Sequence, residues 1–206
     1  QKYGVKHDVC GKIVVATDES EFPRLEKIRN NGNANGLKGV EVIGPEKIKK
    51  IEPYIEGKKA LWVPESGIID FAGVTNKLAE LIKGINPDSD IITSCEVKSF
   101  ERDEVSSLKT SLGIIKARHL IFCGGLHSDR LARKDKVSSD VRIVGFRGDY
   151  YDLTEQGMKK IRNLVYPVPN PEFPFLGVHF TRMTDGSVEC GPNAVFTFKR
   201  EGYGKT

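Results

Sequence analysis

Gly177-Val178-His179-Phe180-Thr181-Arg182-Met183-Thr184-Asp185-Gly186-Ser187-Val188-Glu189-Cys190 is the stretch that decides the fold. Asp-Gly between alternating apolar residues is the strongest short-range signal for a β-hairpin. The spacing predicts strands over Phe175–Thr184 and Ser187–Cys190, with Asp185-Gly186 as the two loop residues. That register pairs Thr184 with Ser187 and Arg182 with Glu189. Arg182 then reads as a cross-strand ion pair worth less than about 1 kcal/mol. The same register puts His179 on one face with Thr181, Met183, Val188 and Cys190. A histidine on such a half-apolar face reads either as a satisfied core residue or as a group that titrates near neutral pH for chemistry.

Working outward, Leu164–Val168 precedes the hairpin, and a link rich in Pro (Pro167, Pro169, Pro171, Pro174) joins the two. Val141–Leu153 reads as long and β-rich. Upstream, Lys12–Ala16 (KIVVA) is a β-branched strand. Ser20 caps an expected helix through Arg24, Leu25 and Ile28, stopped by the Asn30–Gly36 cluster. Val40–Ile43 is a strand, and Gly44-Pro45 starts a brief helix that ends before Pro53. Ala60–Val63 and Ile68–Phe71 read as strands around a Pro64–Gly67 turn, with a helix over 72–84. Asp90–Phe100, Ser106–Leu112 and Lys116–Cys123 read as strands, and 128–134 as a short helix. The class is α/β with an α+β character: a mixed, largely antiparallel sheet with flanking helices.

The 206 residues suit one to two domains. Lys+Arg exceed Asp+Glu by 32 to 28, and no basic block supports a nucleic-acid surface. No apolar run approaches the ~18 residues a spanning helix needs. Cys10, Cys95, Cys123 and Cys190 lack CxxC spacing, which argues against a metal knuckle and fits a reducing, cytoplasmic setting. The chain opens on Gln1 and closes on Thr206 just after a patterned stretch, so it reads as a piece of a longer parent.

Residue types alone do not declare an activity, because GxGxxG, GxxxxGK[ST], HExxH and GxSxG are all missing. Three constellations are candidates. In Ile121-Phe122-Cys123-Gly124-Gly125-Leu126, an apolar strand meets two glycines and then a helix start. It is either a plain turn or a close backbone approach to an anion. His179 and Arg182 lie in the hairpin. In Phe146-Arg147-Gly148-Asp149-Tyr150-Tyr151, Arg147 and Tyr150 either sit on an exposed face beside Asp149 or fork onto a carboxylate. Gly191-Pro192-Asn193-Ala194 closes the hairpin as a turn in which Asn193 could offer its amide.

These pieces occur in a distinctive order. Cys10-Gly11-Lys12, Val63-Pro64-Glu65-Ser66-Gly67-Ile68, Glu96-Val97, Gly125-Leu126 with Asp129-Arg130-Leu131, and Phe146-Arg147-Gly148-Asp149-Tyr150 come first. Tyr166-Pro167-Val168-Pro169, Phe173-Pro174-Phe175-Leu176-Gly177-Val178-His179, Asp185-Gly186-Ser187, Gly191-Pro192-Asn193-Ala194 and Phe198-Lys199-Arg200-Glu201-Gly202-Tyr203 follow. The order resembles the middle of the L-2-hydroxyglutarate dehydrogenase/oxidase family, flavoproteins of the D-amino-acid-oxidase-like (glycine-oxidase-like) superfamily. It runs from about Tyr3 to Tyr203 and is most specific from Tyr166 onward.

The resemblance implies an FAD-dependent parent that oxidises L-2-hydroxyglutarate to 2-oxoglutarate and passes electrons to oxygen or a quinone, with peripheral membrane association as an option. It implies substrate-side roles for His179, Arg182, Arg147, Tyr150 and Asn193, with His179 as proton acceptor. Some relatives place the hairpin Arg one position later, and a one-residue slip would swap its face. For the cofactor it implies Val97 at the adenine, Cys123, Gly124 and Gly125 near the ribityl and phosphate portion, and Pro192 with Asn193 beside the ring. Residues 1–90 and 136–206 are expected in the substrate-binding domain and 91–135 in the FAD-binding domain. The pyrophosphate cradle lies outside these residues, so the fragment alone is expected to hold FAD weakly or not at all. The competing readings are a neighbouring flavoprotein specificity (glycerol 3-phosphate or an amino acid) and a non-catalytic α/β binding module.

Overall fold

Lys12–Ala16 is the strand around which the chain is organised in the computed structural model, which describes residues 2–138, 140–173 and 177–204. In chain order the first part contains β1 (His7–Asp8), β2 (Lys12–Ala16), α1 (Phe22–Ala34), β3 (Glu41–Ile43), α2 (Pro45–Ile51), β4 (Lys59–Val63), β5 (Ile68–Ile69) and α3 (Phe71–Ile85). Then come β6 (Val97–Glu101), β7 (Ser106–Thr110), β8 (Gly113–Ala117) and α4 (Ser128–Lys134). The last part holds β9 (Phe146–Arg147), β10 (Tyr151–Asp152), α5 (Glu155–Met158), β11 (Leu164–Pro167), β12 (His179–Arg182), β13 (Val188–Gly191) and β14 (Val195–Phe196). Two compact units result, one of residues 1–77 and 146–196, the other of 78–145 and 197–206.

The first unit is built on a mixed sheet of order β10-β13-β12-β11-β2-β4-β3. Only β11 and β2 run parallel; every other pair is antiparallel. The continuous apolar run of β2 is explained by its position, because both of its faces are covered. Ile13 and Val15 point to one side, where Val165, Val188, Ile43 and Ala60 join them with Ile48 of α2. Val14 and Ala16 point to the other, against Leu61, Val63 and Leu25 of α1. A side chain as buried as Ile13 contributes about 1.5–3 kcal/mol. Glu52, fully buried after α2, accepts the backbone N–H groups of Arg162 and Asn163 and the Asn163 amide, which ties the approach to β11 to α2. Burial pushes its carboxyl up against the lowering effect of those donors.

The second unit carries the three-stranded antiparallel meander β6-β7-β8 and the helix α4. Asp129 of α4 is buried and accepts both guanidinium ends of Arg200, while Arg200 also donates to the Leu126 carbonyl. The Arg200 guanidinium holds the Asp129 carboxyl well below the usual carboxylate range.

The mixed, largely antiparallel α/β class expected from the sequence is the one observed. Several element boundaries differ. Asp18, with Glu21, forms the capping box ahead of α1, where Ser20 was expected to cap. The helix runs on through most of the Asn30–Gly36 cluster to Ala34. Of Asp90–Phe100, only Val97 onward is strand. Of the expected strand Lys116–Cys123, only Lys116 and Ala117 are strand, at the end of β8; residues 118–123 are not, and Ile121 is 88% exposed, because an apolar run needs a lateral neighbour to bond and none pairs there among the described residues. Val141–Leu153 shrinks to the two-residue strands β9 and β10. The start of the expected strand at Phe175 lies outside the described residues.

The hairpin register is also corrected. His179 pairs with Gly191, Phe180 with Cys190, Thr181 with Glu189 and Arg182 with Val188. The loop therefore has three residues, Thr184–Gly186. Met183 N–H bonds Ser187 O at 2.8 Å and Gly186 N–H bonds Met183 O at 3.1 Å. Gly186 takes φ +95, the left-handed conformation that closes a three-residue loop and that glycine adopts without a Cβ penalty. The Asp185 carboxylate accepts from Ser187 N and Oγ and stabilises the turn.

Candidate functional site

His179 opens β12 and is only 5% exposed. Its Nδ1 lies 3.0 Å from the Gly177 carbonyl oxygen. A carbonyl only accepts, so Nδ1 carries a hydrogen, and in the neutral imidazole the lone pair is then on Nε2. β11 lies beside β12, with Val165 opposite Phe180, so the next residue, Tyr166, meets His179 on the other face. The two rings stack with centroids 4.1 Å apart and planes 13° from parallel. Tyr150 approaches the imidazole edge-on, centroids 6.3 Å apart at 81°. Burial first, then Glu189 and Tyr166, push the Tyr150 phenol up.

The revised register explains this enclosure. Gly191 sits directly across from His179, and a Cβ there would come within 2.7 Å of the Tyr150 ring and 2.9 Å of the Asp149 carbonyl. The glycine is what lets Tyr150 lie over the strand pair. Paired residues share a face, so Glu189 and Thr181 lie on the His179 side, whereas Val188 and Cys190 lie on the opposite one.

Arg147 and Asn193 converge on the chain that carries Tyr150. Arg147 Nε is 2.9 Å from Asp149 Oδ1, and the Asp149 N–H donates to Asn193 Oδ1 at 2.9 Å. Asn193 N–H returns a bond to the Asp149 carbonyl at 3.1 Å. Asn193 thus fixes the backbone entering Tyr150. Pro192, between Gly191 and Asn193, packs over Gly148. His179, Tyr150, Arg147, Asn193 and Pro192 therefore belong to one neighbourhood.

Arg182 does not join them. Three residues beyond His179, it points to the other face of β12, where it pairs with Asp8 at 3.1 Å and donates to the Arg162 carbonyl at 3.2 Å. The expected pair with Glu189 is replaced because the extra loop residue moves Val188 opposite Arg182.

In the second unit, Val97, Cys123 and Gly124 line one cavity of about 600 Å³, together with apolar side chains such as Leu108 and Leu131 and the cation Arg130. Gly125, at φ +50, starts the short turn that leads into α4. The volume lies in the range of small-molecule and cofactor pockets, and the apolar walls suit a flat aromatic group.

Sequence reading assigned no site role to Tyr166 or Lys12 and gave Glu189 only a cross-strand pairing with Arg182. All three face the imidazole's side of the sheet. The parallel β11–β2 pairing, which no local pattern announces, brings Lys12 across from Leu164 and next to Tyr166. Among the described residues, no cluster of His, Cys, Asp and Glu could hold a metal.

The family model described as FAD dependent oxidoreductase (DAO) matches residues 1–205. An L-2-hydroxyglutarate dehydrogenase of Indibacter alkaliphilus is 42% identical over 208 residues, covering 100% of this chain and 52% of that protein. The mitochondrial L-2-hydroxyglutarate dehydrogenase of Homo sapiens is 38% identical over 216 residues, covering 98% of this chain and 46% of its own. The chain thus spans about half the length of these curated relatives. A solved dithionite-reduced L-alpha-glycerophosphate oxidase from Mycoplasma pneumoniae with FAD bound superposes with TM-score 0.79 at 25% identity, over 96% of this chain and 53% of its own.

Proposed function

Since the chain belongs to the DAO family of FAD dependent oxidoreductases, we propose that it forms the substrate wall and part of the cofactor wall of an enzyme that oxidises L-2-hydroxyglutarate to 2-oxoglutarate. The names of its relatives support the substrate. The observation that carries the chemistry is the buried His179, held by Gly177 so that Nε2 presents a lone pair among Tyr166 and Tyr150.

His179 Nε2 takes the proton of the C2 hydroxyl as that carbon is oxidised. Stacking on Tyr166 fixes the ring plane, and the bond to Gly177 fixes the tautomer, so the lone pair is oriented before substrate arrives. The Tyr150 hydroxyl stays protonated at neutral pH, because its acidity is further suppressed, and can donate to a substrate carboxylate. Arg147 supplies positive charge next to the same loop. Asn193 positions Tyr150 through Asp149. Arg182, on the opposite face, braces β1 and the Arg162 turn.

Val97, Cys123 and Gly124, with Gly125 in the turn after them, would hold FAD at the cavity of the second unit; Pro192, in the first unit, is proposed as a separate cofactor contact. The volume and apolar lining of that cavity fit the adenine end. Bound FAD would accept the C2 hydrogen as a hydride, which carries both electrons of the oxidation. Oxygen or a quinone then takes the electrons. Among the described residues, no helix is long and apolar enough to cross a membrane. The four free cysteines favour a reducing compartment. A cytoplasmic location is the proposal for this chain, and the mitochondrial one carried by the human relative's name is the alternative.

The test is anaerobic addition of L-2-hydroxyglutarate to the FAD-loaded full-length enzyme. Bleaching of the flavin absorbance and formation of 2-oxoglutarate are expected. Bleaching by glycerol 3-phosphate or an amino acid but not by L-2-hydroxyglutarate would overturn the substrate assignment.

A further inference from the structure

Lys12 is the first residue of β2, next to β11 in the sheet. Its ammonium lies 3.9 Å from the centroid of the Tyr166 ring. Because β11 runs between β12 and β2, the phenol has the His179 imidazole on one side and the Lys12 ammonium on the other. Lys12 is half-buried, and loss of water pushes its pKa down. Its neighbours on the shared face are Leu164 and Val63 in register and Tyr166 beside them, and none is a carboxylate. A partly desolvated ammonium that lies against a π face, with no carboxylate beside it among the described residues, is an incomplete ion pair, and it gains most from an anion delivered to it.

We propose that Lys12 is a specificity-determining residue that binds the carboxylate of the substrate remote from the carbon being oxidised. The inference rests on the functional reading above. In a five-carbon diacid, three C–C bonds of ~1.5 Å place the far carboxylate about 4–5 Å from C2. The imidazole and the ammonium are separated by no more than the 4.1 Å and 3.9 Å spans laid end to end across Tyr166. A substrate lying over the edge of that ring can therefore present its hydroxyl to His179 and its second carboxylate to Lys12 together. A monoacid would leave the ammonium unanswered, so the site would select for length and for a second negative charge. The Tyr166 ring, gripped from both sides, acts as the spacer that sets this length.

The test uses Lys12→Met, which keeps the stem packed on Tyr166, and Lys12→Arg, with folding checked by thermal unfolding. In the FAD-loaded enzyme, Lys12→Met is expected to raise KM for L-2-hydroxyglutarate by about 10–100-fold, the loss of one charge-assisted contact. Its kcat/KM for L-2-hydroxybutyrate should stay unchanged, and Lys12→Arg should recover most of the diacid KM. A KM for the diacid that does not move, or equal losses on diacid and monoacid, overturns the proposal. Binding is read separately by titrating glutarate and butyrate into the same proteins. Wild type should prefer glutarate, and Lys12→Met should lose that preference; no preference in wild type, or its survival in Lys12→Met, overturns the proposal. If wild type turns over no L-2-hydroxyglutarate yet keeps a Lys12-dependent preference for glutarate, the assigned reaction falls and the diacid site stands.

Discussion

The imidazole of His179 and the phenol of Tyr166 lie face to face, 4.1 Å between centroids and 13° from parallel. The stack joins residues from adjacent strands and leaves the imidazole little freedom to turn. Tyr166→Phe keeps the ring and should leave stability within about 0.5 kcal/mol. Tyr166→Leu removes the aromatic pair and part of the buried surface, with an expected cost of about 1–3 kcal/mol by chemical denaturation. Equal stability of the two variants would show that the stack contributes nothing.

Replacing the proposed proton acceptor tests its role more directly. His179→Gln in the FAD-loaded enzyme is expected to lower kcat by about 10²–10⁴-fold. The flavin content and the affinity for 2-oxoglutarate should change far less. A kcat within a few-fold of wild type would assign the proton to another group.

Gly191 admits Tyr150. In Gly191→Ala the new Cβ meets the Tyr150 ring, for a cost of about 1–3 kcal/mol. In a Tyr150→Ala background the clash with the ring disappears, and the same substitution should cost measurably less. A double-mutant cycle reads the difference, and strict additivity would refute the packing account.

Arg182 has been placed on the far face of β12. Its ion pair with Asp8 is partly exposed, so Arg182→Met should cost about 0–1 kcal/mol. KM for the diacid should move by less than about threefold, the range expected of a surface pair. A tenfold rise in KM would bring Arg182 back to the substrate.

Acid response divides two buried carboxyls by sign. Asp129 is depressed by Arg200, so its contribution to stability is present above its unfolded pKa of about 3.9 and is lost as pH falls through the lower folded value. Glu52 is raised by burial, so its contribution is full below about 4.3 and declines as pH rises through the higher folded value. Thermal unfolding should therefore show the penalty of Asp129→Asn shrinking as pH falls below about 4. A penalty that grows on acidification would reverse the assignment.

Much of the core was legible. KIVVA is readable as a strand because every residue of it packs, and Leu25 and Ile28 mark the buried face of α1. The hairpin itself was readable from Asp185-Gly186, but its register was not. A two-residue and a three-residue loop both put Asp-Gly at the tip, and the choice flips β13 face for face. That single residue separates a His179 among Val188 and Cys190 from one among Glu189 and Tyr150. The cross-strand partner of Arg182 changed for the same reason, from the expected Glu189 to Val188. Residues 118–123 read as the end of a strand because β propensity describes a side chain's fit to a sheet, whereas pairing needs a neighbour. Tyr166 and Lys12 escaped notice because their roles depend on the β2–β11 pairing, which joins distant parts of the chain.

That pairing has a consequence for how the protein comes into being. Lys12 and Leu164 stand about 150 positions apart, so laying β11 against β2 closes a very long loop, and the entropy of that closure must be met before the neighbouring contacts repay it. The proposed diacid site is thus expected to be a late product of folding. A nascent chain emerging from the ribosome would complete its meander and α4 well before the histidine acquires its surroundings.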